Sequence, residues 1–217
     1  MRNKKTKKII IIGAGQLGIL VSNIIKRQKL FDITGFIDND KRKKNKIVNS
    51  FKVLRSEDYL LNSIKKNVNL VIAFGNIKRR ELTIKKLINN NFKFPPIIDP
   101  SCNIDKGVKI GRGTIVCNSS TILNNTELGE FSVIGTAVNI LHHVKISNNC
   151  IIGGGSTVGS NVNIHKNVFV GVGATFASKN ITIKRNSFIC SGSAVFNNVP
   201  EQSKVIGNPA KLIPSKL

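Results

Sequence analysis

Three residues in this chain of 217 carry an imidazole, and two of them are neighbours: His142 and His143, with His165 further on. A neutral imidazole can take a proton from an amine or a hydroxyl while that group attacks a carbonyl carbon, because its ordinary pKa lies near operating pH. A different chemistry is offered by Gly13, Gly15 and Gly18, which stand in a G-x-G-x-x-G spacing after the apolar run Ile9–Ile12. Glycines between a strand and a helix let backbone N–H groups and the helix N-terminus face a phosphate. Asp38 follows Gly18 by the interval at which a carboxylate meets a ribose in dinucleotide sites. The same spacing also fits NAD binding or a glycine-rich turn with no ligand. Cys102, Cys117, Cys150 and Cys190 form no C-x-x-C pair and have no zinc-type histidine spacing, so they read as reduced structural thiols and no metal is expected. No Ser-His-Asp or Cys-His arrangement suggests an acyl-enzyme.

The glycine motif needs a strand before it and a helix after it. KIIII at 8–12 reads as a buried strand and QLGILVSNIIKRQK at 16–29 as an amphipathic helix. ITGFID at 33–38 and VNLVIAF at 68–74 read as further strands, with a basic loop at 41–46 and helices near 56–65 and 77–90. Pro95 and Pro96 end the alternation, which predicts a small, mostly parallel α/β domain over residues 1–97. About 95 residues leave no room for the second mononucleotide half of a dinucleotide domain, which weighs against NAD.

The histidine pair sits in a different context. From Ile104 to Phe176 an aliphatic or aromatic residue recurs every six positions without a break, through Ile110, Val116, Ile122 and onward. Four residues after each stands a small or β-branched residue such as Thr114, Ser120, Ser132, Cys150 or Ser156, and glycine often follows the large one. One extra residue near Lys179–Asn180 shifts the frame before Ile183, Ile189 and Val195 resume it. This is a solenoid pattern, in which each repeat buries its apolar residue only by stacking on the next. It predicts a β-helix over 98–217, with Cys150 as one more member of the small-residue column.

The formal charge of +23 comes from 34 basic and 11 acidic residues. The excess is mostly lysine and mostly in the first hundred residues, with one Tyr, no Trp and no nucleic-acid-binding motif, so a nucleic-acid partner is not expected. No apolar run approaches the roughly 20 residues of a membrane span. No signal-peptide core follows the basic N-terminus, and a cytoplasmic location is the expectation.

GAGQLG at 13–18, FIDND at 36–40, FGNIKRR at 74–80, IIDPSCNI at 97–104, the hexapeptides, ILHH at 140–143 and VIGNPAKLI at 205–213 together resemble the sialic-acid O-acetyltransferase/UDP-amino-sugar N-acetyltransferase family. The resemblance runs over nearly the whole chain. It implies a Rossmann-like head followed by a left-handed parallel β-helix, acetyl-CoA as co-substrate, and a homotrimer with sites between subunits. By resemblance, the head would hold the nucleotide of a sugar nucleotide through Gly13, Gly15, Gln16, Asp38, Asn39, Gly75 and Asn76. His142 falls on the family's catalytic histidine. Position 143, usually acidic, is His143 here, so no fixed negative charge stands behind the base; an amine needs less activation than an alcohol, which favours N-acetylation. A second family histidine, toward the donor, aligns with Ile151 and is absent. The donor would lie along Gly155, Gly171, Val172, Gly173 and Gly192, whose N–H groups could polarise the thioester, with Asn208, Pro209 and Lys211 at its nucleotide end. The expected reaction is acetylation of a UDP- or dTDP-linked 4-amino-4,6-dideoxy sugar in glycan-precursor synthesis. O-acetylation of sialic acid or another sugar is the alternative enzyme reading, and a non-catalytic repeat scaffold is the alternative outside enzymes. Turns at Val138, Leu141 and Val172 are expected to be exposed and covered in the trimer.

Overall fold

A computed structural model describes residues 7–54, 56–63 and 68–214. The chain divides into two compact units, one ending at Pro100 and the other beginning at Ser101.

The first unit is an α/β domain. Its sheet is built on β1 (Lys7–Ile12), whose residues Ile9–Ile12 are all buried, as a central parallel strand requires. β1 is flanked in parallel by β2 (Phe31–Ile37) on one side and on the other by Asn69–Ile72, numbered β5 below. Helix α1 (Gln16–Gln28) turns Val21, Ile24 and Ile25 into the core and ends at Lys29 in the left-handed conformation. The basic segment holds a short turn at Lys41–Lys43 and a two-stranded hairpin, β3 (Ile47–Val48) and β4 (Phe51–Lys52). The helix expected near 56–65 is α2 (Glu57–Ser63), with residues 64–67 outside the described part. After β5 (Asn69–Ile72), α3 (Ile77–Leu87) is the last helix of the unit.

The second unit is a parallel β-solenoid, as the repeats predict, and matches the left-handed β-helix that the resemblance implies. Sixteen two-residue strands fall on three faces. The first face carries Asn103–Ile104, Thr121–Ile122, Asn139–Ile140, Thr157–Val158, Thr175–Phe176 and Ala194–Val195. The second carries Lys109–Ile110, Glu127–Leu128, Lys145–Ile146, Asn163–Ile164 and Thr182–Ile183. The third carries Ile115–Val116, Val133–Ile134, Ile151–Ile152, Phe169–Val170 and Phe188–Ile189. Strands pair in register at intervals of 18, as Thr121 with Asn139. The extra residue near 180 makes the interval 19, as Asn163 with Thr182, and pairing continues undisturbed. The second residue of nearly every strand points inward, and Ile122, Ile134, Ile140, Ile152, Val158, Ile164 and Val170 are wholly inaccessible. Burying such a side chain stabilises by about 1.5–3 kcal/mol.

The small-residue column does more than fit a corner. Thr114 Oγ1 donates to Gly129 O, Ser120 Oγ to Gly135 O, Thr126 Oγ1 to Leu141 O, Ser132 Oγ to Ser147 O and Ser156 Oγ to Gly171 O, always 15 residues ahead. Cys150 takes the same place with its thiol on His165 O at 3.0 Å. Burial pushes that thiol up to about 12, so it is inert as a nucleophile. These bonds satisfy turn carbonyls that stacking would otherwise bury unpaired.

Each corner also needs a residue at positive φ. That column recurs every six positions from Gly107 to Gly173, and Asn186 and Gly192 continue it after the extra residue. Only glycine, and to a lesser degree asparagine, adopts this conformation at little cost. The column was not evident in the sequence because Gly, Asn, Ser, Ala, Phe and His all occupy it.

Candidate functional site

His142 and His143 lie on the corner between the first and second faces. His142 Nδ1 is 2.9 Å from His143 Nδ1, with the rings edge-on at 5.1 Å between centroids. His142 Nε2 is 3.0 Å from Ser160 Oγ, one coil further on, and His143 Nε2 is 3.2 Å from Asn125 Nδ2, one coil back. His143 is the positive-φ residue of its turn, at φ 60°, and this sets the direction of its ring. Both imidazoles are exposed, whereas Ser160 is buried. The chain thus holds a Ser–His–His–Asn row across three coils, although neither Ser160 nor Asn125 stands out in the sequence. The 18-residue coil brings Asn125, the histidine pair and Ser160 together by stacking three successive turns of the same corner. His165, by contrast, sits on the corner between the second and third faces and does not join the pair.

The residues expected to hold the donor fall along one line. Gly155, Gly171, Val172, Gly173 and Gly192 belong to successive turns of the corner between the third and first faces. At the end of that line the strands Lys204–Ile206 and Lys211–Ile213 form a hairpin, with Asn208 and Pro209 at its tip. Gly207 O and the Ala210 N–H bond Ala194, which fixes the hairpin beside the Gly192 turn.

This corner differs from the other two. Its positive-φ positions are Ser119, Ala137, Gly155, Gly173 and Gly192; the other corners have Gly107 and Gly113 in the first coil and then Asn125, Phe131, His143, Asn149, Asn161, Asn167 and Asn186. A Cβ added at Gly155, Gly173 or Gly192 would meet nothing in the chain. The space above the corner is therefore open, and Ala137 holds positive φ with no asparagine to ease it.

The donor amides need one correction. The N–H groups of Gly155, Gly171, Gly173 and Gly192 are bonded to Thr136 O, Ile189 O, Gly154 O and Val172 O, so they have no proton left for a ligand. Among the described residues, no acceptor is found for the amides of Gly154, Val172 and Ser191, the middle residues of the same turns. Gly171 is also explained by packing, since a Cβ there would strike Ser191. Val172 is exposed at 63%, as expected, and Leu141 is half-buried; Val138 is wholly buried, because it occupies the inward small-residue column.

In the α/β unit, Gly13, Gly15 and Gly18 play unequal parts. Gly13 has φ 109° and a Cβ there would press on Ala73 O; one at Gly18 would strike Gly13 O. Both are demanded by the turn itself. Gly15, the N-cap of α1, has ordinary extended backbone, and a Cβ there would meet nothing; the same is true of space at Gly75. Gly15 and Gly75 follow the C-terminal ends of the paired strands β1 and β5. No side chain caps α1, which begins at Gln16, and no acid stands in its first turn. Asn76 caps α3 by accepting from Arg79 N–H at 2.9 Å.

Asp38 is turned toward the protein. Its carboxylate accepts from Ala14 N–H at 2.9 Å, Asp40 N–H at 2.9 Å and Lys43 Nζ at 3.0 Å. Burial alone would raise its pKa, but the Asp40 and Ala14 amides and the Lys43 ammonium outweigh it and hold the carboxyl below its ordinary value. Asn39 Oδ1 accepts from Glu57 N–H and so starts α2. Asp38 and Asn39 border a cleft of about 460 Å³ shared with Lys41, Lys44, Ser56 and Asp58. A residue that sequence reasoning missed is Arg80. It is wholly buried, donates to Ile72 O at 2.8 Å and Phe74 O at 3.1 Å, and is pushed down to about 10 by burial. It pins the segment that leads into Gly75. Nothing distinguishes it in sequence from Arg79 beside it, which is half-exposed.

A shallow hollow of about 760 Å³ along the second face is lined by Lys109, Lys145, Lys166 and Arg185 among others, and contains none of the expected site residues. Among the described residues there is no group of His, Cys, Asp and Glu able to hold a metal, and no helix is long and apolar enough to cross a membrane.

Residues 8–87 match the family model described as the PglD N-terminal domain. No curated protein matches the chain by sequence. Among solved structures, the acetyltransferase domain of PglB from Neisseria gonorrhoeae superposes with a TM-score of 0.90 at 23% identity, covering 96% of this chain and all of that one. PerB from Caulobacter crescentus, solved in complex with CoA and GDP-perosamine, superposes at 0.88 with 23% identity, covering 95% of this chain and 97% of that one. WeeI from Acinetobacter baumannii superposes at 0.87 with 22% identity over 96% of this chain and all of that one. The two-part fold expected from the sequence, a Rossmann-like head followed by a hexapeptide-repeat β-helix, is thus that of these proteins.

Proposed function

We propose that the chain transfers the acetyl group of acetyl-CoA to an amino group on a nucleotide-linked sugar. The observation that carries this reading is the corner whose positive-φ positions Ala137, Gly155, Gly173 and Gly192 carry at most a methyl group, which lies across the first face from His142. An extended thioester arm can lie against such a backbone, with the Gly154, Val172 and Ser191 amides facing no competitor for its carbonyl oxygens. The hairpin with Asn208, Pro209 and Lys211 closes one end of that track, where it meets the nucleotide part of the donor.

His142 acts as the general base. The amine nitrogen bonds to the acetyl carbonyl carbon, the carbon–sulfur bond breaks with its electron pair to sulfur, and the amine's surplus proton passes to His142 Nε2. The departing thiolate takes a proton from water, and His142 passes its own proton to the hydroxide left behind, which restores the base. Ser160, though bonded to that nitrogen, is buried beneath the ring, which favours direct transfer over an acetyl-serine. Gly15, Gly75 and the uncapped start of α1 at Gln16 take the diphosphate of the acceptor, since neither glycine is required by the turn it occupies. Gly13, Asp38, Asn39 and Asn76 shape that cradle from behind. GDP joins UDP and dTDP as a nucleotide to be tried, because PerB is solved with GDP-perosamine.

His142 and the donor track stand on different corners of one chain, which favours a site shared between subunits of a homotrimer. Light scattering should give a mass near three chains. A His142 mutant mixed with a Gly173 mutant should regain part of the activity in mixed trimers. The reading itself is tested by incubating the protein with acetyl-CoA and UDP-, dTDP- and GDP-linked amino sugars and following thiol release. Release only with hydroxyl acceptors would convert the reading to O-acetylation, and failure to bind acetyl-CoA at all would leave a scaffold. Mass spectrometry during turnover should find no acetyl group on Ser160.

A further inference from the structure

His142 has an imidazole behind it, and an imidazole, unlike a carboxylate, can either give or accept the hydrogen bond at its Nδ1. Which it does depends on its other nitrogen. His143 Nε2 meets the side-chain amide of Asn125, whose two ends are a donor and an acceptor. With the amide nitrogen toward the ring, as placed, Asn125 donates to Nε2, and a neutral His143 must carry its proton on Nδ1. That proton points at His142 Nδ1, 2.9 Å away, so His142 must carry its own on Nε2, directed at Ser160 Oγ. In this arrangement the base has no lone pair to offer.

Turning the Asn125 amide over reverses every bond in the row. Its oxygen then accepts from His143 Nε2–H, His143 Nδ1 accepts from His142 Nδ1–H, and His142 Nε2 is left with a free pair. Ser160 can follow either way, because a hydroxyl both donates and accepts. The two arrangements carry the same net charge and the same heavy-atom positions. Assigning ring protons and amide ends is a matter of the network as a whole, and this network has two self-consistent solutions.

We infer that Asn125, acting through His143, is a positioning residue that sets which nitrogen of His142 carries the proton and thereby readies the base. This rests on the proposed acetyl transfer with His142 as base. His143 substitutes for an acid by accepting from Nδ1, but only while an acceptor faces its far side. In the active arrangement His142 Nε2 exchanges its Ser160 contact for the substrate amine and takes the amine's proton, as above. The positive charge that results is shared along Nδ1–H to His143, whose Nε2–H is held by the Asn125 oxygen.

Position 125 is also a positive-φ corner at φ 55°, so a purely structural role must be separated from this one. Asn125→Gly keeps the backbone at ease and removes the amide. Asn125→Asp retains only the acceptor. At about pH 8.5, Asn125→Gly should lower kcat about tenfold or more, with both KM values within twofold. Asn125→Asp should match or exceed the wild type. The ring nitrogens can be read directly by nitrogen-15 NMR of histidine-labelled protein, since only three histidines contribute. Asn125→Asp should place the His142 proton on Nδ1, and Asn125→Gly should lose that bias, with His165 unchanged in both. The inference is overturned if Asn125→Gly stays within twofold of wild type, if Asn125→Asp is as slow as Asn125→Gly, or if His142 keeps one nitrogen-15 pattern in all three proteins. A wild type that transfers no acetyl group to any acceptor would sink the proposed function instead, and the ring spectra would still decide whether Asn125 governs the tautomer.

Discussion

The two units build their candidate sites by opposite means. In the head, each candidate position is singular and lies where a strand ends: Gly15 after β1, Asp38 after β2, Gly75 after β5. Its neighbours are tied up in making the loop, with Asp38 on Ala14, Asn39 on Glu57 and Asn76 on Arg79. In the β-helix no position is singular, because every residue has counterparts 18 away. A site there is a departure from its own column, as where Asn gives way to Gly along one corner, or where His takes the positive-φ place at 143. A repeat supplies its own controls, and residues that merely build the corner can be told from those that serve something else.

The largest effect should come from the histidine corner. His142→Asn should lower kcat by about 10²–10⁴-fold with an unchanged melting temperature, since the ring is exposed and packs on little. Full activity in that variant would remove the base from the reaction. The donor corner gives the cleaner use of the repeat. Gly173→Asn introduces a residue that the other corners tolerate at the same φ, so the fold should hold while KM for acetyl-CoA rises about tenfold or more. The reciprocal exchange on another corner, Asn167→Gly, should leave that KM alone. Equal effects from the two would mean that the bare corner serves the fold only.

Next in size is the division among the head's glycines. Gly15→Ala should raise KM for the sugar nucleotide several-fold with KM for acetyl-CoA unchanged, because a Cβ there disturbs only a ligand. Gly18→Ala should instead lower the melting temperature, because its Cβ strikes Gly13 O. Arg80→Met should destabilise the head by about 1–3 kcal/mol, leaving two carbonyls unpaired inside the protein, and thermal unfolding would register it. The smallest effect concerns acid. Asp38 is held below its ordinary pKa, so its contribution to stability is complete above about pH 4 and fades as pH falls through the lowered value. Asp38→Asn should flatten the dependence of unfolding on pH in that range.

The fold was legible because both units announce themselves by period. Thirteen inward residues at intervals of six admit little but a solenoid, and Cys150 could be assigned to its column before its thiol was seen on His165 O. What stayed hidden was anything that depends on neighbours across coils. Asn125, His143 and Ser160 are 17 or 18 residues apart, and nothing in the local sequence of Asn125 or Ser160 marks them. The glycines proposed for the donor do share one corner, but the amides of Gly155, Gly171, Gly173 and Gly192 bond neighbouring coils, because which N–H faces another coil is decided by stacking. Arg80 was hidden for a related reason: helix α3 is basic along its length, and only packing shows which cation is inside.

The bare corner is also a measure of length. Each coil advances by about 4.8 Å, and Gly155, Gly173 and Gly192 are successive steps that end against the hairpin at Asn208 and Pro209. The extra residue near 180 falls between the second and third steps yet adds nothing to the rise, because it bulges from a different corner. The track is therefore a ruler graduated in whole coils, and its reach can change only by the gain or loss of a complete turn. Inserting one 18-residue coil between Gly155 and Gly173 would move the hairpin outward by about 5 Å and leave every corner intact, so a molecule that spans the original track would no longer touch both ends.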